Sequence, residues 1–141
     1  MTTGQAAGGR ILHAALPQDW VEAGRSGSYA VSSRGRSLAD EGFIHASTRA
    51  QLPGVLDRYY ADLLSLRLLV LDIGSLGRAG SPVQWEHVPA EQAPYPHVYG
   101  PVPVSVVGQG NPVVAVLPLS RRDGEPWRLP DLTAYDLATG P

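Results

Sequence analysis

A chain of 141 residues is of single-domain size, and 43% hydrophobic against 17% charged residues places it among globular proteins that fold by burial alone. There is no cysteine, which removes thiolate nucleophiles, disulfide frameworks and cysteine zinc sites, and every basic residue is arginine, which removes lysine Schiff-base chemistry. A net charge of −2 and a pI of about 6.0 disfavour a protein built to coat duplex nucleic acid.

Residues 1–9 are small and polar and read as a flexible leader, with neither the basic flank nor the apolar run of a signal peptide, so the cytoplasm is the expected compartment. The longest apolar run, around Leu68–Ile73, is far short of the roughly 20 residues that span a bilayer. Arg10–Ala15 reads as a strand stopped by Pro17 and carrying His13 among apolar neighbours. Gln18–Ala23 suits a short helix ended by Gly24 or Gly27, Tyr29–Val31 a minor extended stretch, and Ser37–Asp40 one helical turn closed by Gly42.

Gly42–Ala46 is expected to be a second strand built around a histidine, His45. Thr48-Arg-Ala-Gln51 has the form of a capping box, and Leu52, Val55, Leu56, Tyr59, Tyr60, Leu63 and Leu64 follow at helical spacing, with Pro53 setting the start of regular helix near Leu52. Arg67–Ile73 and Val83–Val88 read as strands. Val102–Val107 and Val113–Leu117 read as a hairpin across a Gly- and Pro-rich spacer. The domain proper is expected over 10–120, with the Pro-, Gly- and Arg-rich residues 121–141 a loosely packed tail pinned by Trp127 or Leu129. Helices early and antiparallel strands late give an α+β class, without a fixed repeat or a glycine-rich phosphate loop.

Chemistry concentrates in three blocks. In Glu41-Gly-Phe-Ile-His-Ala-Ser47, strand alternation puts Phe43, His45 and Ser47 on one face, so an imidazole and a hydroxyl point the same way. His13 is a second strand imidazole, and two such strands in the first third of a chain with four histidines suggest a shared cleft; the bland alternative for each is a core histidine bonded to a backbone carbonyl. Tyr95–Pro101 reads as a turn stiffened by prolines that presents His97 and Tyr99. Trp85-Glu86-His87 is weaker, because Glu86 and His87 fall on opposite strand faces. No His-x-His or Glu-x-x-His pair fixes metal ligands on one element, and no Gly-x-Ser-x-Gly elbow supports a serine hydrolase, so no metal site is expected.

Taken together, Leu12-His13, Trp20, the Glu41–Ser47 run, Gln51, Asp72, Trp85-Glu86 and Pro96–Pro101 resemble the bacterial family called domain of unknown function 952, over about residues 10–107. The resemblance implies a fold like that of the ADP-ribosyltransferases, a split antiparallel sheet with two or three short-to-medium helices early in the chain and a cleft for a nicotinamide dinucleotide. In that group a first-strand histidine bonds the ribose and a following aromatic or histidine packs the nicotinamide, places matched by His13 and His45. The third position, commonly glutamate, is represented here by His97 and Tyr99, although the oxocarbenium-like charge of nicotinamide release calls for a carboxylate. The histidine-bearing strands also look like those of RNA 2′-phosphotransferases, for which Arg49 would be the available guanidinium.

Three readings follow. The first is a nucleotide-binding enzyme directed at NAD or ADP-ribose, transferase-like or phosphotransferase-like, with His13, His45, His97 and Tyr99 at the chemistry and His13, Glu41, Ser47 and Arg49 holding the cofactor. The second is a small-molecule pathway enzyme that uses an imidazole pair as general acid and base without NAD. The third is a non-catalytic binding module. Expected partners are a small molecule or nucleotide, with RNA a weaker candidate and no membrane.

Overall fold

The computed structural model describes residues 9–141. The flexible leader expected over residues 1–9 therefore lies, Gly9 apart, outside the described residues. Strand β1, Arg10–Ala15, runs antiparallel to β6, Ser65–Asp72, whose other edge takes β10, Val113–Ser120. Side chains alternate across this sheet. Ile11, Ala15, Leu69, Leu71 and Val113 enter one hydrophobic cluster, while Leu12, Ala14, Leu66, Leu68, Val70 and Leu119 enter a second on the opposite face. Burial on both faces explains why β6 reads as a near-continuous apolar run.

A second three-stranded antiparallel sheet has the order β5-β8-β7, formed by Ile44–His45, Ala93–Val98 and Val83–Val88. Its Ile44 and Val98 sit in the first cluster, with Val83 and Trp85 packed against it. The strand expected over Gly42–Ala46 keeps only two residues in this sheet, because the chain then crosses to β1, where Ser47 and Leu12 exchange backbone hydrogen bonds of 2.8 and 2.9 Å. This crossover joins the two sheets. Short pairs complete the strands, β2 (Ser28–Tyr29) with β9 (Val102–Pro103) and β3 (Val31–Ser33) with β4 (Arg36–Ser37).

The helices are α1, Pro17–Ser26, α2, Leu38–Glu41, α3, Leu52–Tyr59, and α4, Ile73–Arg78. Pro17 opens α1 at a position where the missing N–H is harmless, Gly24 is carried inside the helix, and Gly27 at φ 86° closes it. The Thr48–Gln51 box forms as expected, each side chain taking the other's backbone N–H. The helix it opens stops at Tyr59 rather than reaching Leu64. Arg34 bonds the Tyr59 carbonyl, and Arg121 bonds those of Ala61 and Leu63, so guanidiniums satisfy the carbonyls at the turn into β6. Sequence reading missed α4, which Asp72 caps by accepting the Ser75 N–H at 2.8 Å.

The expected hairpin of Val102–Val107 with Val113–Leu117 does not form. The prolines at 101 and 103 lack N–H donors, β9 is only two residues long and pairs with β2, and β10 pairs with β6. Residues 121–141 contain no strand or helix, and Trp127 and Leu129, the residues expected to pin them, both pack on the second cluster. Trp127 and Leu132 are buried in the second cluster, and the Arg10 N–H and C=O bond Asp136 and Ala138, which covers the open edge of β1. Among the described residues no helix is long and apolar enough to cross a membrane.

Candidate functional site

The two faces of the β5-β8-β7 sheet have different fates. One meets the hydrophobic core; the other carries Phe43, His45, Tyr95 and His97 onto the wall of a cavity of about 620 Å³. The remaining walls come from Leu12–Ala14 of β1, from the β3–β4 turn, from α3 through Leu52, Val55, Arg58 and Tyr59, and from the end of β7. All four histidines of the chain line this space.

His13 is a buried bridge. Its Nδ1 lies 2.5 Å from the His45 carbonyl oxygen and its Nε2 lies 2.7 Å from the Tyr29 hydroxyl. The carbonyl can only accept, so Nδ1 carries the proton and Nε2 accepts the Tyr29 O–H, which is the pattern of a neutral imidazole. Burial pulls its pKa down to about 4, against the smaller opposing effect of the His45 carbonyl. With both nitrogens engaged, His13 holds the His45 strand in place and is not free to bond a ribose, the role expected of it.

Glu41 and His45 form the exposed part of the site. Ser37 and Asp40 make a capping box that starts α2, and Gly42, at φ 89°, turns the chain out of the helix so that Glu41 and His45 face each other. The His45 Nε2–H donates to Glu41 Oε1 at 2.8 Å. The carboxylate also receives a long 3.4 Å contact from the Ser32 hydroxyl and has the Arg36 Nε at 3.7 Å. The His45 side chain keeps 46% of its surface exposed, so Nδ1 is the nitrogen left for chemistry. Ser47, on the same strand face, is buried and lines the cavity.

His97 and Tyr99 are not on a turn. The Tyr95–Val98 part of their block lies in β8, the middle strand of the sheet, and Tyr99 follows it directly. His97 pairs directly with His45, their ring centres 5.4 Å apart, and stacks on Phe43 at 4.0 Å with the planes 18° apart. Its Nδ1–H donates to Glu86 Oε1 at 2.7 Å, and the Tyr99 hydroxyl donates to the same oxygen at 2.6 Å. These two bonds hold the Glu86 carboxyl below the usual range, the Tyr99 bond being the stronger influence, and the anion in turn raises the Tyr99 phenol. Burial lowers the His97 pKa despite the Glu86 bond. Tyr99 does not line the cavity; its hydroxyl is turned to Glu86.

The position expected to supply a guanidinium, Arg49, is exposed and outside the cavity wall, because the turn into α3 carries it away from the face that His45 and Ser47 share. Arg34 and Arg58 line the cavity instead. Arg34 makes a two-point contact to Asp62 at 2.6 and 2.9 Å, and Arg58 pairs with Glu91 across from α3 to the β7–β8 turn while covering the Tyr59 ring. Among the described residues no group of three His, Asp or Glu side chains is placed to hold a metal ion. Sequence reasoning passed over Glu86 because its neighbour His87 lies on the other face. The register of β7 against β8, Gln84 opposite His97 and Glu86 opposite Tyr95, is what brings Glu86 diagonally beside His97.

The fold is similar to that of the crystal structure of protein CC0527 from Caulobacter crescentus, with a TM-score of 0.65 and 25% identity over 83% of this chain and 92% of that one. A double mutant of the same protein gives 0.65 and 24% over the same shares. No curated protein matches the sequence. Residues 14–109, which hold every element from the middle of β1 to β9 and all the cavity residues but Leu12 and His13, match the family model described as "Protein of unknown function (DUF952)", and the chain belongs to that family.

Proposed function

We propose that the cavity is the active site of an enzyme acting on a nucleotide-class small molecule, with NAD and ADP-ribose the first candidates, and that His45 and Glu41 are its acid–base pair. The observation that carries this reading is a half-exposed imidazole tied through Nε2 to a carboxylate at 2.8 Å on the wall of a cavity of about 620 Å³. That bond leaves the His45 Nδ1 lone pair to take a proton from a substrate hydroxyl or water, while Glu41 stabilises the imidazolium that results. General-base help of this kind contributes on the order of 10²–10⁴-fold in rate. The volume is within the ordinary range for small-molecule sites, and tyrosine rings at 59, 60 and 95 supply flat apolar surface for a base.

The finer reading of the fold, an ADP-ribosyltransferase-like split antiparallel sheet, is supported by two three-stranded antiparallel sheets that meet at the Leu12–Ser47 bridge, with the cavity beside the junction. On this reading the carboxylate that His97 and Tyr99 fail to provide is Glu41. Cleavage of a nicotinamide–ribose bond develops positive charge on the ribose, and an ionised carboxylate near it lowers the barrier. Ser47 offers a hydroxyl for a ribose oxygen.

A second reading, a small-molecule enzyme without NAD, is favoured by one observation. Both guanidiniums on the cavity wall, Arg34 and Arg58, already hold a carboxylate, which leaves them less available for a pyrophosphate. Thermal-shift and calorimetric titration with NAD, ADP-ribose, a 2′-phosphorylated nucleotide and unphosphorylated metabolites separates the two. A rise of several degrees with a nucleotide, lost in His45→Ala and Glu41→Gln, is the expected result. Absence of heat with every nucleotide, alongside turnover of another compound that needs His45, would establish the second reading. Substitutions at both positions that change melting temperature alone would make the domain a binding module.

A further inference from the structure

We infer that His97 is the cavity's ligand-reading acceptor, and that its Nε2 takes a hydrogen bond from an amino or carboxamide N–H on a planar ring; this rests on the cavity being the ligand site proposed above. The argument begins at Glu86, one of whose oxygens accepts both the Tyr99 O–H at 2.6 Å and the His97 Nδ1–H at 2.7 Å. An oxygen receiving two such donors belongs to an ionised carboxylate, so Nδ1 of His97 carries a proton, and because burial disfavours the imidazolium, Nε2 is left as a bare lone pair. Nε2 is buried and has no partner among the described residues. Buried acceptors in native interiors are matched, and because the His97 side chain lines the cavity, a small turn of its ring on ligand entry gives this acceptor its partner.

Geometry sets what can reach it. Nε2 lies across Cε1 from the nitrogen that Glu86 holds, so it points away from β7. The Phe43 ring covers one face of the imidazole, and the His45 ring stands edge-on at 5.4 Å. A ligand group bonded to His97 is thereby held beside His45, among aromatic surfaces that favour a flat partner. Burial that disfavours charge on His97 also disfavours a cationic donor, which leaves a neutral ring-borne N–H. In this scheme His97 contacts the ligand, and Glu86 is a positioning residue that decides which nitrogen carries the proton.

Two ligand pairs test the inference: adenosine against purine riboside, and nicotinamide against its N,N-dimethyl form. Each pair differs in the N–H donor. At least one donor-bearing member is expected to bind about tenfold more tightly than its partner, the size of one hydrogen bond in a dry site. In ¹⁵N-labelled protein the His97 Nε2 resonance should be of the unprotonated type without ligand and move on binding. Glu86→Gln, a substitution at a partly exposed position, can offer an amide N–H to Nδ1; it is expected to move the proton to Nε2 and erase the preference while the protein stays folded. A protonated Nε2 in the ligand-free wild type overturns the inference without touching the acid–base role of His45. So does equal affinity within both pairs while the His45 signals shift. Failure of all four compounds to bind overturns it together with the nucleotide reading of the cavity.

Discussion

Replacing His13 by Gln should flatten the acid limb of the stability profile, and the size of the effect follows from the way the ring is held. In the native state the imidazole is neutral, donating from Nδ1 to the His45 carbonyl and accepting the Tyr29 O–H on Nε2, with a pKa pulled by burial from 6.5 to about 4. In the unfolded chain it titrates near 6.5. Between these values the unfolded state binds more protons than the native one, so the contribution of neutral His13 is complete above pH 6.5 and is lost as the pH falls through that value towards 4. A gap of that width corresponds to about 3 kcal/mol. Urea midpoints measured from pH 7 to pH 4 for wild type and His13→Gln should therefore converge as the pH drops, the variant starting lower but losing about 3 kcal/mol less on the way. Parallel profiles, or a His13 resonance that titrates near 6.5 in the folded protein, would refute the burial argument.

Other perturbations address the supports of the site. Tyr99→Phe removes the larger of the two bonds that lower the Glu86 carboxyl, so its titration, followed by carboxyl NMR, should move up towards the ordinary range. Trp127→Ala opens a hole where the tail meets the second cluster and should cost about 3–5 kcal/mol in chemical denaturation, whereas Trp127→Phe should cost much less because it also deletes a buried N–H that has no partner among the described residues. Gly100→Ala would set a Cβ 2.4 Å from the Ser81 hydroxyl and 3.1 Å from the Ser81 Cα, at a φ of 155°, and should lower stability by about 1–3 kcal/mol, with partial recovery in a Ser81→Gly background. Equal stability of Gly100→Ala and wild type would mean that the two segments part easily.

Local signals were legible wherever they were strong. The β1 and β7 boundaries coincide with the runs of apolar and alternating residues, and the Thr48–Gln51 and Gly42 signals mark the ends of α3 and α2 as read. What the sequence hid was set by partners distant along the chain. Helix α3 stops at Tyr59 because arginines 34 and 121 satisfy the carbonyls beyond it, and β9 pairs with β2 instead of β10 because prolines interrupt its edge. In the site, the EGFIHAS block does deliver Glu41, His45 and Ser47 to one cavity, as strand alternation and the turn at Gly42 require. Arg49 is lost to the turn, and the two arginines that replace it come from elements with no phosphate-binding pattern of their own. Glu86 could be found only from the register of β7 on β8.

The histidines show how one side chain acquires different work from its surroundings. His13 and His45 do converge, but through the backbone: the buried ring bonds the carbonyl of the exposed one, so the core imidazole fixes the strand from which the exposed imidazole projects. The core reading holds for His13 on β1, while His45, on β5 of the other sheet, carries the role proposed above. His97 stands between these cases, buried like His13 and paired on the sheet with His45, its Nδ1 held by Glu86. A sheet with one face against the core and the other against a cavity makes this division possible, because successive residues along β5 or β8 alternate between the core and the cavity wall. Ile44 and Val98, fully buried and paired with each other, anchor the strand positions next to His45 and His97, and that anchoring is what the acid–base role proposed for His45 requires.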